Sequence, residues 1–246
     1  MIDRQIDIVT RDGRMSTFVT HPDRGGPFPV IIFYMDAPAI REELRDMARR
    51  LGTAGYYVML PNLYYRSGVM ELGPLPTDPD SPERQKMFDL MGSLSIPLIM
   101  SDTRSLLSYA EGDPQASKGP MGTLGYCMSG QYAVGAAANY PDKIAAAASI
   151  YGVSLVTEAP DSPHVSARKA KAELYFACAE TDRWMPLEQV GALKRALAEK
   201  EVDAEVEIYP GTDHGFAFPA RAAYNKDAAE RHWERLHALF NRKLKC

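Results

Sequence analysis

Short, continuous apolar runs alternate along this chain with segments in which apolar residues recur at helical spacing. Apolar runs bounded by Gly, Pro or Asn are typical of strands that are buried on both faces of a parallel sheet. They predict strands over Val30–Tyr34, Tyr56–Leu60, Ile144–Ile150, Glu173–Ala177 and Ala204–Tyr209. The alanines of Ile144–Ile150 would suit a helix equally well.

The segments with a helical period lie between these runs. They predict helices over Ile40–Ala54, Glu83–Met91, Pro97–Glu111, Tyr132–Ala138, Pro186–Lys200 and Ala222–Lys243. Strands that alternate with helices form a mostly parallel sheet with helices on both faces. The sequence therefore predicts an α/β fold, and without an internal repeat or linker it predicts one domain over residues 1–246.

Two regions fall outside this alternation. Asp12-Gly13 is a turn signal between Ile6–Thr10 and Met15–Thr20, so the chain is expected to open with a β-hairpin. Asn62–Pro82 is rich in Pro, Gly and Tyr and has no clear period. A loop of this length in a compact domain is usually functional, and the sequence does not give its path.

Composition excludes several classes of protein. A net charge of −4 over 246 residues offers no basic patch for nucleic acid. No apolar run is long enough to span a bilayer, and the charged N-terminus is unlike a signal peptide. Cys127, Cys178 and Cys246 are too few and too scattered for a disulfide framework or a zinc site. We expect a cytoplasmic protein without metal or cofactor, monomeric or homodimeric.

Cys127 lies where a short apolar run meets a helix. The order of strand, tight turn and helix is that of a nucleophile elbow, written G-x-S-x-G in serine hydrolases. Here the elbow is Gly125–Ser129, with Cys127 in the nucleophile's place and Ser129 in place of the second glycine. Taken alone, a cysteine at the end of a strand is more often a small buried hydrophobe than a nucleophile, and the elbow context makes the two readings about equal.

Partners for Cys127 follow later in the chain, each near the end of a predicted strand. Asp182 comes after Glu173–Ala177, and His214 comes after Ala204–Tyr209. The order nucleophile, acid, histidine is that of the α/β-hydrolases. Glu180 and Asp213 are rivals of Asp182, but Asp213 adjoins the histidine and is expected to point elsewhere. The remaining histidines are expected on loops or helix surfaces: His21, His164, His232 and His237.

These residue types suit acyl transfer. A thiol becomes a strong nucleophile when a neighbouring histidine takes its proton, and a carboxylate fixes that histidine's tautomer. Two backbone N–H groups must stabilise the developing oxyanion. By the geometry of the elbow, one is expected from Met128 and the other from the loop after Phe33-Tyr34, near Ala37.

Together these residues resemble the dienelactone hydrolase family (carboxymethylenebutenolidase-like) of the α/β-hydrolase fold, over nearly the whole chain. The most specific piece is Gly125-Tyr126-Cys127, in which cysteine replaces serine. Three further segments look like family counterparts: Pro61–Arg66, Asp182–Pro186 and His214–Ala217. The resemblance implies that the family's Cys-Asp-His triad falls on Cys127, Asp182 and His214.

At three positions this sequence differs from the pattern of the family. A family glutamate that holds the resting thiol corresponds here to Asp36, which is one methylene shorter. Of two arginines that hold the substrate carboxylate, one aligns near Lys86 and the other near Phe218, with Arg221 off register. The pocket is therefore expected to be more apolar than a dienelactone site, with Lys86, Tyr64, Trp184, Phe216 and Phe218 as candidate substrate contacts. Trp184 and Phe216 are equally consistent with plain packing.

The resemblance implies hydrolysis of an ester or lactone through a thioester on Cys127. Because a thiolate leaves a tetrahedral intermediate more easily than an alkoxide, activated substrates such as enol-lactones, aryl esters and thioesters are expected. The alternatives are a carboxylesterase or thioesterase acting on another acyl substrate, and a non-catalytic relative that binds a small ligand in the same cleft.

Overall fold

A computed structural model describes residues 1–73, 76, 78 and 80–245. The predicted loop Asn62–Pro82 is thus described only in part, and Cys246 lies outside the described residues. The chain divides into two compact units, one over Met1–Lys118 and one from Gly119 onward. A single domain over 1–246 stays a prediction.

The fold is α/β, with mostly parallel strands, as predicted from the apolar runs. In the described part of the chain the strands are β1 Ile2–Thr10, β2 Gly13–His21, β3 Val30–Tyr34, β4 Tyr57–Pro61, β5 Met121–Tyr126, β6 Ile144–Ile150, β7 Glu173–Thr181 and β8 Ala204–Asp213. The α-helices there are α1 Glu42–Thr53, α2 Pro82–Gly92, α3 Ile96–Gly112, α4 Gly130–Asn139, α5 Pro163–Ser166, α6 Leu187–Glu199 and α7 Lys226–Leu244. None of these helices is both long and apolar enough to cross a membrane.

The first unit combines antiparallel and parallel pairing. β1 and β2 form the predicted hairpin, β2 pairs antiparallel with β4, and β4 pairs parallel with β3. Every residue of β3 and β4 is buried, as expected for continuous apolar strands in a covered sheet. α1 packs with one apolar stripe inward, formed by Leu44, Met47, Ala48 and Leu51.

The second unit is a parallel array in the order β5, β6, β7, β8. Successive strand residues point to opposite faces of the sheet, so the contacts of two adjacent residues of β5 identify the helix on each face. Gly122 faces the Phe240 and Leu244 side chains of α7, whereas Thr123 donates a hydrogen bond to the Ala133 carbonyl of α4. Helices therefore cover both faces of β5.

Several predicted boundaries were wrong. β7 and β8 continue to Thr181 and Asp213, and these two residues pair across the strands although both are polar. α7 begins at Lys226 rather than Ala222, because the Asn225 side chain accepts the Ala228 N–H and caps the helix there. The short helix α5 was not predicted.

Candidate active site

The elbow has the backbone that its sequence predicted. Cys127 directly follows β5 and has a φ of 54°, in the left-handed region that non-glycine residues rarely occupy. A Cβ on Gly125 would lie 2.1 Å from the Ser129 carbonyl oxygen, so only glycine fits before the turn. A Cβ on Gly130 would lie 2.3 Å from Ser149 Oγ. The close approach of the helix thus falls at Gly130, and Ser129 fits, fully buried, at the place of the motif's second glycine.

The ends of β7 and β8 bring the next two candidate residues together. Thr181 pairs with Asp213 at the end of these parallel strands, and Asp182 and His214 are the residues that follow. His214 Nδ1 lies 2.7 Å from Asp182 Oδ2. The other carboxylate oxygen of Asp182 accepts the Trp184 backbone N–H at 2.8 Å. Asp182 is therefore fixed from two sides and oriented toward the imidazole.

The rival carboxylates are engaged elsewhere or exposed. Glu180 accepts the backbone N–H of Gly211, and the side chain of Asp213 is exposed. Neither is the partner of His214 Nδ1.

The side chain of Cys127 is close enough to His214 to act on the pKa of its imidazole. Burial disfavours the charged imidazole, but the hydrogen bond to Asp182 and the interactions with Cys127 outweigh burial. The pKa of His214 is consequently raised from 6.5 to about 9. At neutral pH the imidazole therefore carries a proton.

Tyr151 is a residue of this site that the sequence analysis missed. It follows β6 with a φ of 35°, and its ring meets the ring of His214 edge-on at 5.0 Å between centroids. The same ring contacts Phe216 and Tyr126. A bulky residue held at positive φ is strained, and such strain concentrates at functional sites. Within the apolar stretch that ends at Tyr151, no local sequence signal distinguished it.

The predicted oxyanion donors lie in separate units. Met128 is buried in a short 3-10 turn over Cys127–Ser129, and its carbonyl accepts a hydrogen bond from Gln131. Ala37 is buried after β3, and its carbonyl accepts the Tyr64 hydroxyl at 2.9 Å. Tyr64 is therefore a core residue that fixes the loop containing Ala37. An oxyanion hole formed by Ala37 and Met128 stays a prediction.

Asp36 has a partner that the sequence analysis missed. Its Oδ1 and Oδ2 accept hydrogen bonds from the two terminal nitrogens of Arg41, at 2.6 and 3.2 Å. Arg41 also binds Glu43. Burial alone would lower the pKa of Arg41, but the two carboxylates outweigh it and raise that pKa, so the guanidinium stays charged. That Asp36 holds the resting thiol remains a prediction from the resemblance.

The other predicted substrate contacts differ in exposure. Lys86 is exposed on α2. Trp184 is 41% exposed and lies against the guanidinium of Arg183. Phe216 stacks on Tyr209, and Phe218 packs against Tyr126; both are fully buried. That Lys86, Tyr64, Trp184, Phe216 and Phe218 contact the substrate stays a prediction.

Two of the histidine predictions were wrong. His21 is the last residue of β2, is buried and stacks on Tyr57. His232 is fully buried on α7, where its ring lies at the inner face of the helix. His164 and His237 are half-buried, the first on α5 and the second against Trp233. Among the described residues, no group of three or more His, Cys, Asp or Glu is arranged to hold a metal ion.

Comparisons with known proteins agree with this architecture. A protein of Synechocystis sp. with the provisional name carboxymethylenebutenolidase is 28% identical over 244 residues, which are 98% of this chain and 96% of that protein. One of Methylorubrum extorquens with the same provisional name is 26% identical over 98% of this chain and 81% of its own. A crystal structure from Klebsiella pneumoniae, provisionally described as a dienelactone hydrolase, matches with a TM-score of 0.87 at 24% identity, covering 97% of this chain and 98% of that one.

These likenesses define the fold as that of the α/β-hydrolases. The profile of the dienelactone hydrolase family matches residues 15–244. Because this match spans nearly the whole sequence, the chain belongs to the dienelactone hydrolase family and is a hydrolase. The resemblance seen in the sequence is thereby confirmed.

Proposed function

We propose that this hydrolase cleaves activated carboxylic esters or lactones through a thioester on Cys127. The observation that carries the proposal is the arrangement around His214, whose ring hydrogen-bonds the Asp182 carboxylate through Nδ1 and interacts with the Cys127 side chain. This is the order of nucleophile, base and orienting acid that acyl transfer requires.

The first half-reaction forms the thioester. The Cys127 thiolate attacks the substrate carbonyl carbon, and the carbonyl oxygen becomes an oxyanion stabilised by backbone N–H groups, among them that of Met128. The C–O bond to the leaving group then breaks, and the His214 imidazolium gives its proton to the departing oxygen. Asp182 keeps the ring oriented and stabilises its positive charge.

The second half-reaction releases the acid. Neutral His214 takes a proton from a water molecule, which attacks the thioester carbonyl carbon. The tetrahedral intermediate expels the Cys127 thiolate, and the carboxylic acid leaves. The imidazolium–thiolate pair is thereby restored.

The nucleophile restricts the substrate. A thiolate is a better leaving group than an alkoxide, so the intermediate formed from a simple alkyl ester reverts more often than it proceeds. Aryl esters, enol-lactones and thioesters have leaving groups that compete with the thiolate. We therefore place the substrate among these, rather than among alkyl esters.

The residues at the family's carboxylate-binding positions support a substrate other than the dienelactone itself. Phe218 is buried and apolar, and Lys86 is an exposed ammonium that lacks the bidentate fork of arginine. Neither reproduces a paired guanidinium for a substrate carboxylate.

A matched panel of an aryl ester, an enol-lactone and an alkyl ester of the same acid tests the proposal. We expect the highest kcat/KM on the aryl ester or the enol-lactone and the lowest on the alkyl ester. Fastest turnover of the alkyl ester would contradict the cysteine mechanism.

Alkylation separates an enzyme from a non-catalytic relative that binds a small ligand in the same cleft. Iodoacetamide should modify Cys127 far faster than Cys178, and an activated ester should protect Cys127. Cys178 is a built-in control, since burial raises its pKa to about 12. Equal labelling of both cysteines would favour the binding role.

A further inference from the structure

His232 connects α7 to the segment that bears the nucleophile. Its ring is fully buried, and Nε2 lies 2.9 Å from the hydroxyl oxygen of Tyr126. Nδ1 contacts the carbonyl oxygen of Ala229, one helical turn earlier. Tyr126 is the residue immediately before Cys127, and its side chain points to the face of β5 that α7 covers, as Gly122 does.

The chemistry of these groups fixes the direction of the bonds. A carbonyl oxygen can only accept, so Nδ1 of His232 carries the ring proton and donates it to Ala229. Full burial disfavours a charged ring, and in the neutral ring Nε2 has a lone pair that accepts the hydrogen bond from the Tyr126 hydroxyl. The neutral imidazole thus serves as the acceptor that holds the phenol of Tyr126.

The hydrogen bond between Tyr126 and His232 lies next to the strained turn at Cys127. The φ of 54° at Cys127 is costly for a non-glycine residue, and such a conformation persists only where its surroundings over-determine it. Tyr126 is the last residue of β5 and directly precedes the turn at Cys127. A hydrogen bond that holds the Tyr126 side chain therefore limits where the sulfur of Cys127 is placed.

His232 also contacts the segment that follows His214. The His232 ring lies edge-on to Phe216, two residues after His214, at 6.3 Å between centroids. Tyr126 contacts the Tyr151 ring at 5.8 Å, and Tyr151 contacts the His214 ring at 5.0 Å. One aromatic cluster thus connects His232 to Tyr126, which precedes Cys127, and to the rings that pack near His214.

We propose that His232 is a positioning residue, which aligns Cys127 with His214 by accepting the Tyr126 hydroxyl. This inference rests on the proposed function, in which Cys127 attacks the substrate. His232 acts through Tyr126 and does not itself touch the substrate in this account.

The test compares variants that keep or remove the acceptor, with kcat and KM on an aryl ester, the alkylation rate of Cys127 and Tm as readouts. His232→Phe keeps a ring of similar shape but removes the acceptor, and we expect kcat and the alkylation rate to fall by about tenfold or more, with KM nearly unchanged. His232→Gln offers an amide oxygen near the position of Nε2 and should restore most of both rates. His232→Asn, which imitates only Nδ1, should not restore them.

The double variant Tyr126→Phe/His232→Phe separates positioning from stability. It removes both polar partners and leaves two packed rings, so Tm should recover relative to His232→Phe alone. We expect kcat to stay low, because the tie to the elbow is still absent. Recovery of kcat together with Tm would overturn the proposal and leave His232 a structural role alone. His237→Phe, on the same helix and against Trp233, is the matched control and should keep kcat.

Failure of this inference differs from failure of the proposed function. If Cys127→Ala retains turnover, the thioester mechanism is wrong, and no His232 variant is needed to show it. If Cys127→Ala is inactive but His232→Phe matches the wild type in kcat and alkylation rate, the mechanism stands and the positioning role is overturned.

Discussion

Asp36 and Asp182 are both buried aspartates just beyond the end of a strand, yet one binds a guanidinium and the other an imidazole. Asp36, fully buried, accepts two hydrogen bonds from the Arg41 guanidinium. Asp182, 6% exposed, accepts one from His214 Nδ1 and one from a backbone N–H. A guanidinium does not lose its proton in proteins, whereas the imidazole of His214 can lose its proton as pH rises through about 9. The partner, not the carboxylate, decides which pair can move a proton.

The two pairs also differ in what they join. Arg41 is five residues from Asp36, so that pair closes a local loop before α1. His214 is 32 residues from Asp182 and comes from the neighbouring strand. The first pair stabilises one segment, and the second brings two separate segments into a common site.

The largest predicted effect concerns the pair with the imidazole. Asp182→Asn should lower kcat/KM on an aryl ester by roughly three orders of magnitude, because the amide cannot stabilise the imidazolium and favours the wrong tautomer. Tm should change little, since Asn is nearly isosteric. Asp213→Asn, a neighbouring exposed carboxylate, is the control and should keep activity; equal losses in the two variants would remove Asp182 from the mechanism.

The second prediction concerns the pair with the guanidinium. Arg41→Met leaves the fully buried Asp36 carboxylate without its strongest partner, and we expect a loss of about 3 kcal/mol in the free energy of unfolding by urea. Arg41→Met/Asp36→Leu should recover much of it, because an ion pair replaced by apolar residues is often neutral.

Arg45, on the helix α1 that Arg41 precedes, offers a control whose carboxylate partners are exposed. It pairs with Glu42 and Glu71, whose side chains are 63% and 48% exposed. Arg45→Met should cost less than about 1 kcal/mol. A cost as large as that of Arg41→Met would contradict the role assigned to the buried pair.

The third prediction is the pH dependence that follows from the raised pKa of His214. The imidazolium is present below pH 9 and is lost as pH rises through about 9, so kcat/KM should fall by about tenfold for each further pH unit. The folding stability from these contacts has the same sign: it is complete below pH 6.5 and is lost as pH rises through 9. In Asp182→Asn the fall of the residual kcat/KM at high pH should begin at a lower pH. If it begins at the same pH as in the wild type, a group other than His214 causes it.

The smallest effect is expected at Cys178, a buried thiol of β7 whose pKa burial raises. Cys178→Ala should leave kcat within about twofold of the wild type and cost about 1 kcal/mol through the small cavity. Its alkylation should become measurable only on unfolding. Loss of turnover in this variant would place a second thiol in the mechanism.

The sequence predicted most of the sheet and the order of the candidate site residues. Continuous apolar runs located β3 and β6 to the residue, and the small residues around Cys127 located the elbow. Such features are encoded locally, in hydrophobic periodicity and in the need for glycine at a tight turn.

What the sequence missed depends on contacts between distant side chains. His232 has the spacing of a buried helix position, but only the Tyr126 hydroxyl on β5 explains an imidazole there. Tyr151 looks like the end of an apolar strand until its positive φ and the His214 ring are seen. Arg41 lies in a charged run, and nothing in that run selects it over Arg45 as the partner of Asp36.

Mass spectrometry after rapid acid quench of the enzyme with an aryl ester shows whether a thioester forms on Cys127 during turnover. We expect an acyl group on the peptide that contains Cys127 and none on the peptide that contains Cys178. The acyl group should form in the first turnover and disappear as the substrate is consumed. In Cys127→Ala both the adduct and turnover should be absent. Turnover without any adduct on Cys127, or an adduct on another residue, would overturn the thioester mechanism.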